Sequence, residues 1–237
     1  MLLTSQLIAQ INTTNQSLYW LKYDVKTSVG QNSKFSISAE DRRYFKNNRQ
    51  HMWLFDMNYS ANFKESWNLG GGLLKWSILM PSDPESSYEV TQHEWRPYIF
   101  AEHRSTLFDK LKFNKRILIE ERIRQNTGTD LVTNGPVIET GYYNYQRIRF
   151  RGKLIYKLTK EARVPVFVSV MDEYMIHFGS DNLAGLFDQN RLSVSFQFGI
   201  LENIDLTLGY LNWFQKSSGN NNYFLRNIAM CYITQMF

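Results

Sequence analysis

The chain has 237 residues, of which 15% are aromatic and only five are proline, and this composition favours strands over helices. The formal net charge of +5 permits an anionic partner without requiring one, and a single cysteine excludes both a disulfide framework and a cysteine-based metal site. No stretch reaches the roughly 18 to 20 apolar residues of a membrane-spanning helix, but a strand that crosses a membrane alternates and needs no such run.

At the N-terminus, residues 1–9 resemble the end of a secretory signal peptide, because a short apolar run closes on Ile8 and Ala9. The segment lacks the basic region that opens such signals, so an ordinary chain terminus is the alternative. No linker or change of composition follows, and we therefore expect residues 10–237 to form a single domain.

Segments of alternating polarity, about 10 to 14 residues long, recur along the chain, each followed by a turn. They match tilted membrane-crossing strands of roughly 9 to 11 residues better than soluble strands of about 5 or 6. Eleven candidate strands are found, whereas single-chain bacterial barrels usually have an even strand count. Either Ile8–Gln16 therefore adds a short twelfth strand, or Asn68–Ser77 is not a strand. The sequence predicts an all-β fold, an antiparallel transmembrane β-barrel of about 12 strands (roughly 10–12). The eleven candidates are Tyr19–Val29, Phe35–Tyr44, Met52–Asn62, Asn68–Ser77, Val90–Ala101, Lys112–Arg124, Tyr145–Leu158, Val164–His177, Asp188–Gly199, Ile204–Gln215 and Leu225–Phe237.

The connections alternate between two lengths, as in bacterial outer-membrane barrels with short periplasmic turns and long extracellular loops. Some soluble lipocalin-like barrels approach this asymmetry, but we predict a location in the outer membrane. The short connections are Gly30–Lys34, Phe63–Trp67, Thr159–Arg163 and Leu201–Asn203, and the long ones are Met80–Glu89, Asn126–Asn144, Phe178–Phe187 and Lys216–Phe224.

Charged side chains collect on one face of these strands, because residues two apart share a face. In YQRIRFRGK, Arg147, Arg149, Arg151 and Lys153 oppose an apolar face. We assign the charged face to the barrel interior and the apolar face to lipid. The predicted interior residues are Arg42, Arg96, Arg116, Arg122, Arg124, Arg147, Arg149, Arg151, Lys153 and Arg191, with the carboxylates Glu40, Glu94, Glu120 and Glu173.

The motif Glu-x-Arg occurs three times in this set, beginning at Glu40, Glu94 and Glu120. Arginine–carboxylate pairs are planar and can be bidentate, so ladders of them can fill a barrel interior. A few charges fall on the apolar faces, and we expect them near strand ends, where a lipid-facing charge costs about 0 to 1 kcal/mol instead of about 2 to 4 at the midplane. These charges are Lys115, Glu121 and Asp172.

A family resemblance rests on KRILIEERIRQ, YQRIRFRGKLIY and FDQNRLSVSFQFG, together with WSILMPSDPE and HEWRPYIFAEHR. These segments look like successive motifs of an uncharacterised bacterial family, domain of unknown function 2490 (DUF2490), over about residues 18 to 237. The resemblance implies an outer-membrane β-barrel-like protein with no established activity, and it supplies no catalytic residues. The terminal Phe237 also resembles the C-terminal signature that the barrel-insertion machinery of Gram-negative bacteria reads.

Arginine rings line anion pathways, so the first functional hypothesis is a narrow, porin-like pore or a binding barrel for small anionic solutes. Its selective lining would be formed by six arginines: Arg116, Arg122, Arg147, Arg149, Arg151 and Arg191. A barrel filled by its own charges, with a purely structural role, is one alternative. Nucleic-acid binding is not predicted, because the aromatic residues lie on the face opposite the cations.

A membrane-embedded enzyme that modifies lipid or lipopolysaccharide is the other alternative, and His103 with Ser105 is its only candidate dyad. We predict that the protein is not an enzyme, because nothing marks an oxyanion hole. We predict no cofactor and no metal, and the Gly70–Gly72 run indicates close backbone approach or a bulge rather than a nucleotide cradle. Acidic loop residues could bridge lipopolysaccharide through divalent cations, or simply be solvated: Asp83, Glu85, Asp130, Glu139 and Asp181.

Overall fold

The computed structural model describes residues 12–159, 164–178, 186–217 and 222–237. Within these ranges eleven strands close into a barrel in which each strand pairs with its neighbours in sequence and β11 pairs with β1. A short 3₁₀ helix, Lys46–Asn48, follows β2. The strands are β1 Asn12–Val29, β2 Ser33–Tyr44, β3 Gln50–Lys64, β4 Trp67–Met80, β5 Val90–Phe108, β6 Leu111–Thr129, β7 Pro136–Lys157, β8 Val166–Phe178, β9 Phe187–Leu201, β10 Ile204–Lys216 and β11 Asn222–Met236.

The predicted all-β barrel is confirmed, and Asn68–Ser77 is a strand. The expectation of a twelfth strand over Ile8–Gln16 is wrong in the part that the structure describes, because residues 12–16 simply begin β1. An odd number of alternating strands leaves the first and last pointing the same way. The seam therefore closes by a parallel ladder, from Asn12 opposite Asn222 to Lys26 opposite Met236, whereas the other pairings are antiparallel.

The two rims differ in the described part of the chain, and the predicted long connection Met80–Glu89 is confirmed. Parts of the predicted connections Thr159–Arg163, Phe178–Phe187 and Lys216–Phe224 lie outside the described residues. At the short-connection rim, strands are joined through residues 30–32, 65–66, 109–110 and 202–203. At the long-connection rim, residues 45–49 and 81–89 join the next pairs. The predicted long loop Asn126–Asn144 is mostly strand, because β6 continues to Thr129 and β7 resumes at Pro136.

Asp130 organises the tip of that hairpin. Its carboxylate accepts hydrogen bonds of 2.8 Å from the backbone N–H groups of Val132 and Thr133. These donors, Thr133 first, hold the pKa of the Asp130 carboxyl below its ordinary value. The predicted long loop is therefore a hairpin whose short turn is stabilised by Asp130.

Large apolar side chains are exposed on the outer face of every described strand. Alternate residues of β9 illustrate the pattern: Leu192, Val194 and Phe196 are each between 42% and 49% exposed. No helix among the described residues is long and apolar enough to cross a membrane. We call this exposed apolar surface the apolar belt. Its other members are Leu21, Ile37, Phe55, Leu69, Ile99, Ile117, Phe150, Val170, Leu208 and Ile233.

The charges on this outer face do not all lie near strand ends. Lys115 lies close to the start of β6, but Glu121 and Asp172 lie in the middle of β6 and β8, so that expectation is wrong for both carboxylates. Amide side chains compensate them there. Asp172 accepts a 2.7 Å hydrogen bond from the Asn190 amide. Glu121 accepts hydrogen bonds from the amides of Asn144 and Gln146.

The glycine run of β4 has a packing role. A Cβ on Gly70 would lie 2.6 Å from the Phe100 ring, and one on Gly72 would lie 2.6 Å from the Tyr98 hydroxyl. Both aromatic rings of β5 therefore cross the bare backbone of β4 inside the barrel. Tyr98 reaches β3 in this way and donates a 2.8 Å hydrogen bond to Asp56. The close-approach interpretation is confirmed.

Candidate functional site

Alternating charges form a closed loop on the inner face of β5, β6, β7 and β9. Glu94 receives Arg96 Nε and Arg122 Nε at 2.5 Å each, and Arg122 binds its second oxygen at 3.0 Å. Arg122 continues to Asp188 at 3.8 Å, and Arg147 joins Asp188 at 2.6 Å. Arg147 also pairs with Glu120, which lies 4.0 Å from Arg96 and so completes the circuit. We call these six residues the ionic ring: Glu94, Arg96, Glu120, Arg122, Arg147 and Asp188.

Further ion pairs run from the ionic ring towards the short-connection rim. Arg149 lies 3.5 Å from Glu120 and donates to Glu173 at 2.8 Å. Arg116 lies 3.5 Å from the same Glu173 carboxylate. Each buried carboxylate thus serves two or more guanidinium groups, which offsets the cost of removing these charges from water.

An aromatic cluster fills the interior beside the ionic ring, on β1–β4, β10 and β11. The Trp20 and Trp213 rings meet edge to face with centroids 5.7 Å apart, and His51 lies between Trp213 and Tyr44. The Arg96 guanidinium stacks 3.3 Å from the centroid of Trp76 and so joins the cluster to the ionic ring. The buried apolar members of this cluster are Leu18, Trp20, Tyr44, Met52, Leu54, Trp76, Ile78, Leu211, Trp213, Ile228 and Met230.

Below these two fillings lies a cavity of about 660 Å³, which extends to the short-connection rim. Trp20 and Arg96, both in mid-strand, line its inner end. Lys26 and Lys34, which flank the connection at residues 30–32, line its mouth, and the Lys26 side chain is 40% exposed. Ten cationic and six acidic side chains are among the described residues that line it.

Several of these cations lack a full set of partners. The Nε atoms of Arg116, Arg151 and Arg191 are buried and form no hydrogen bond within the described structure. Arg191 has no carboxylate within ion-pair distance in that part of the chain; its polar partner is the Gln189 side chain at 3.3 Å. Lys153 also lines the cavity outside any described ion pair. The wall formed by β6, β7 and β9 therefore has N–H donors for which the described residues supply no acceptor.

The predicted interior set lies inside the barrel. Arg42, Arg96, Arg122, Arg147 and Arg191 are buried. Three more line the cavity, Arg116, Arg149 and Arg151, whereas Arg124 lies outside it, 3.8 Å from Glu94.

The three Glu-x-Arg motifs pair in two ways, within a strand and across strands as the expected ladders require. Arg42 pairs with Glu40 at 2.8 Å and Arg96 pairs with Glu94, both within one strand. Arg122 instead bonds across to Glu94, because Glu120 is taken by arginines of the neighbouring strand.

Sequence reasoning missed several interior groups. Glu102 and Arg104 form a fourth Glu-x-Arg pair at 2.9 Å, and a search for the same motif would have found it. Asp188 opens the predicted strand Asp188–Gly199, and its alternation with Leu192 and Val194 predicts an outward side chain. In the structure it is buried inside, next to a register shift between β8 and β9. The aromatic cluster gave no signal, because its strands carry apolar residues on both faces.

The candidate dyad is not assembled. His103 and Ser105 both project from the outer face of β5, where the Ser105 hydroxyl donates to the backbone carbonyl of Phe113 at 3.0 Å. The His103 ring packs edge to face on Trp67, with centroids 4.9 Å apart. No hydrogen bond joins the two residues in the described structure.

No group of three or more histidine, cysteine or acidic side chains among the described residues is placed to hold a metal ion. Asp181 lies outside the described residues. Asp83 and Asp130 instead accept hydrogen bonds from the backbone of their own loops.

Comparisons with known proteins identify the family of this chain. The chain is similar to a crystal structure of a mutant of the ferric enterobactin receptor (PfeA) from Pseudomonas aeruginosa, at 12% identity and a TM-score of 0.33. That match covers 79% of this chain and 35% of the receptor chain, so this chain spans about a third of the receptor's length. No curated protein matches. The model of a family described as "Protein of unknown function (DUF2490)" matches residues 18–224, and the chain belongs to that family.

Proposed function

We propose that this protein is an outer-membrane barrel that binds small anionic solutes in the cavity at its short-connection rim. The observation that carries the proposal is the set of buried, unpartnered Nε–H groups on Arg116, Arg151 and Arg191. A buried donor without an acceptor costs about 1 to 3 kcal/mol, and more when it is charged. A carboxylate or phosphate in the cavity would supply the missing acceptors.

The charge balance supports the same reading. Ten cations face six carboxylates in the cavity lining, and the surplus includes Arg191 and Lys153. Guanidinium groups bind carboxylate and phosphate with two parallel hydrogen bonds, so this lining suits oxyanions in particular.

A binding barrel is favoured over an open pore. The ionic ring and the aromatic cluster occupy the interior towards the long-connection rim, where Arg96, Arg147 and Trp213 are each 1% exposed. A solute entering at the short-connection rim would therefore meet a closed end.

The exposed apolar belt supports the membrane part of the proposal. Contiguous apolar surface on this scale is unfavourable in water and marks contact with lipid or with another protein. The lipid and lipopolysaccharide of the outer membrane would cover it. Phe237, which is hydrogen-bonded to Lys26 at the end of the closing seam, would be the residue presented to the insertion machinery.

Calorimetric titration of the detergent-solubilised barrel with inorganic phosphate tests anion binding. Replacing Arg116 and Arg151 together by Gln leaves Glu173 with Arg149 and Glu102 with Arg104, so the acids stay paired. We expect the double variant to lose at least about tenfold in affinity, which corresponds to roughly 1.4 kcal/mol. Lys115→Gln removes one charge from the outer face and is the control. Equal affinity in the parent and the double variant, or none in either, contradicts the proposal.

Two further measurements test the membrane assignment and the closed end. The membrane-extracted protein should migrate differently on gels with and without heating, and a constant position would refute the barrel in the membrane. In planar bilayers we expect no steady current. An anion-selective current that Arg149→Glu shifts towards cations would favour the pore instead.

A further inference from the structure

The cavity also has an apolar wall, besides the cations of β6, β7 and β9. Leu54 and Leu74 of β3 and β4 line it from one side, and Leu211 and Met230 of β10 and β11 line it beside them. Three of these side chains are almost fully buried: Leu54 is 5% exposed, Leu211 is 3% and Met230 is 7%. They are the lower surface of the aromatic cluster, turned towards the cavity.

The apolar wall serves no purpose for a bare inorganic anion. Such an ion would engage the arginines of β6, β7 and β9 and leave the leucines against water, which is unfavourable. The volume of about 660 Å³ also exceeds what a single small ion requires, since cavities of roughly 300 to 1,000 Å³ are typical of organic ligands.

The positions of the two walls give the ligand a direction. Arg116, Arg151 and Lys153 lie on β6 and β7 in the part of each strand nearer the short-connection rim. Leu54 and Leu74 lie further in, beside Trp76. A ligand that enters at this rim would therefore bind with its apolar part at the inner end of the cavity and its acidic group nearer the rim.

We propose that the cavity binds an amphipathic organic anion, in which one carboxylate or phosphate group is attached to a hydrocarbon or aromatic body. This inference rests on the proposed anion-binding function and adds the chemical class of the ligand. The acidic group pairs with the spare donors of Arg116 and Arg151, nearer the rim. The body packs on Leu54, Leu74, Leu211 and Met230.

Titration of the solubilised barrel with three probes distinguishes binding of any small anion from binding of an amphipathic anion. Phenyl phosphate carries both parts, inorganic phosphate carries only the acid, and benzyl alcohol carries only the ring. We expect phenyl phosphate to bind at least about tenfold more tightly than either of the others, because it alone buries apolar area and fills the donors. Equal affinity for the two phosphates overturns this inference and leaves anion binding standing. Binding of benzyl alcohol with neither phosphate overturns both.

Two variants keep the test independent of folding. Leu74→Asn and Met230→Gln each place a polar group in the apolar wall, and each should bring the affinity ratio of phenyl phosphate to inorganic phosphate below about three. Leu73→Asn is the matched control, because the neighbouring leucine faces outward and is 36% exposed. A ratio that stays at the parent value in both lining variants contradicts the inference.

Discussion

The two halves of the barrel interior are filled by opposite physical means. On β5–β9 the ionic ring packs charge against charge, and each carboxylate is shared between arginines. On β1–β4, β10 and β11 the aromatic cluster excludes water, and the buried Arg42 and Arg226 stack on its Trp20 and Trp213 rings instead of joining the ionic ring. The barrel interior is thus closed by both charged and apolar side chains. The cavity begins where the ionic ring and the aromatic cluster end. Because the two fillings respond differently to substitution, each can be weakened alone.

The largest effect should come from the ionic ring. Glu94→Gln keeps the shape of the side chain but removes the charge that Arg96 and Arg122 share at 2.5 Å. Breaking a buried pair by removing one partner costs about 3 to 5 kcal/mol, and we expect a loss of about 4 kcal/mol in unfolding free energy. Urea unfolding followed by tryptophan fluorescence measures it. Glu65→Gln, in a short connection, is the control, and a loss below about 1 kcal/mol in E94Q would show that the ring is not a stabilising unit.

The aromatic cluster should respond somewhat less. Ile228 is fully buried, at 0% exposed, and Ile228→Ala leaves a cavity among its neighbours. Such truncations cost about 2 to 5 kcal/mol, and we expect about 3 kcal/mol in the same urea experiment. Ile233→Ala, on the exposed outer face of β11, is the matched comparison. A similar loss at both positions would mean that the cluster is no better packed than the surface.

The contact between the two halves can be measured directly. Arg96 stacks on Trp76 at 3.3 Å, so a double-mutant cycle with Arg96→Gln and Trp76→Leu should give a coupling of roughly 1 kcal/mol. Strictly additive losses would indicate that the halves are stabilised independently.

The smallest effect is expected at an exposed ion pair on the long-connection rim. Lys46 and Glu85 lie 2.5 Å apart, but their side chains are 68% and 58% exposed. We expect Lys46→Met to change the unfolding free energy by no more than about 0.5 kcal/mol, because solvent screens such pairs. A loss comparable to that of E94Q would erase the distinction between buried and exposed charge.

The ionic half could be predicted from the sequence because charge has a clear period there. Arg147, Arg149 and Arg151 could occupy only one face of β7, and a row of three cations is not stable against lipid. The aromatic half could not, because β10 carries Leu208 and Tyr210 outward while Leu211 and Trp213 point inward. With apolar residues on both faces, periodicity does not say which side is enclosed. Eleven strands fall within the predicted range, but the expected twelfth strand is wrong, since no local pattern reveals that the seam closes in parallel.

Because β1 and β11 are parallel, the two ends of the described chain lie at opposite rims of the barrel. The first described residue, Asn12, lies at one rim, and Phe237 lies at the other. A protease site inserted at Asn12 and a second one appended after Phe237 would consequently stand on opposite sides of any bilayer that the barrel spans. In sealed vesicles an impermeant protease should cut only one of them, so orientation can be determined from a single digestion.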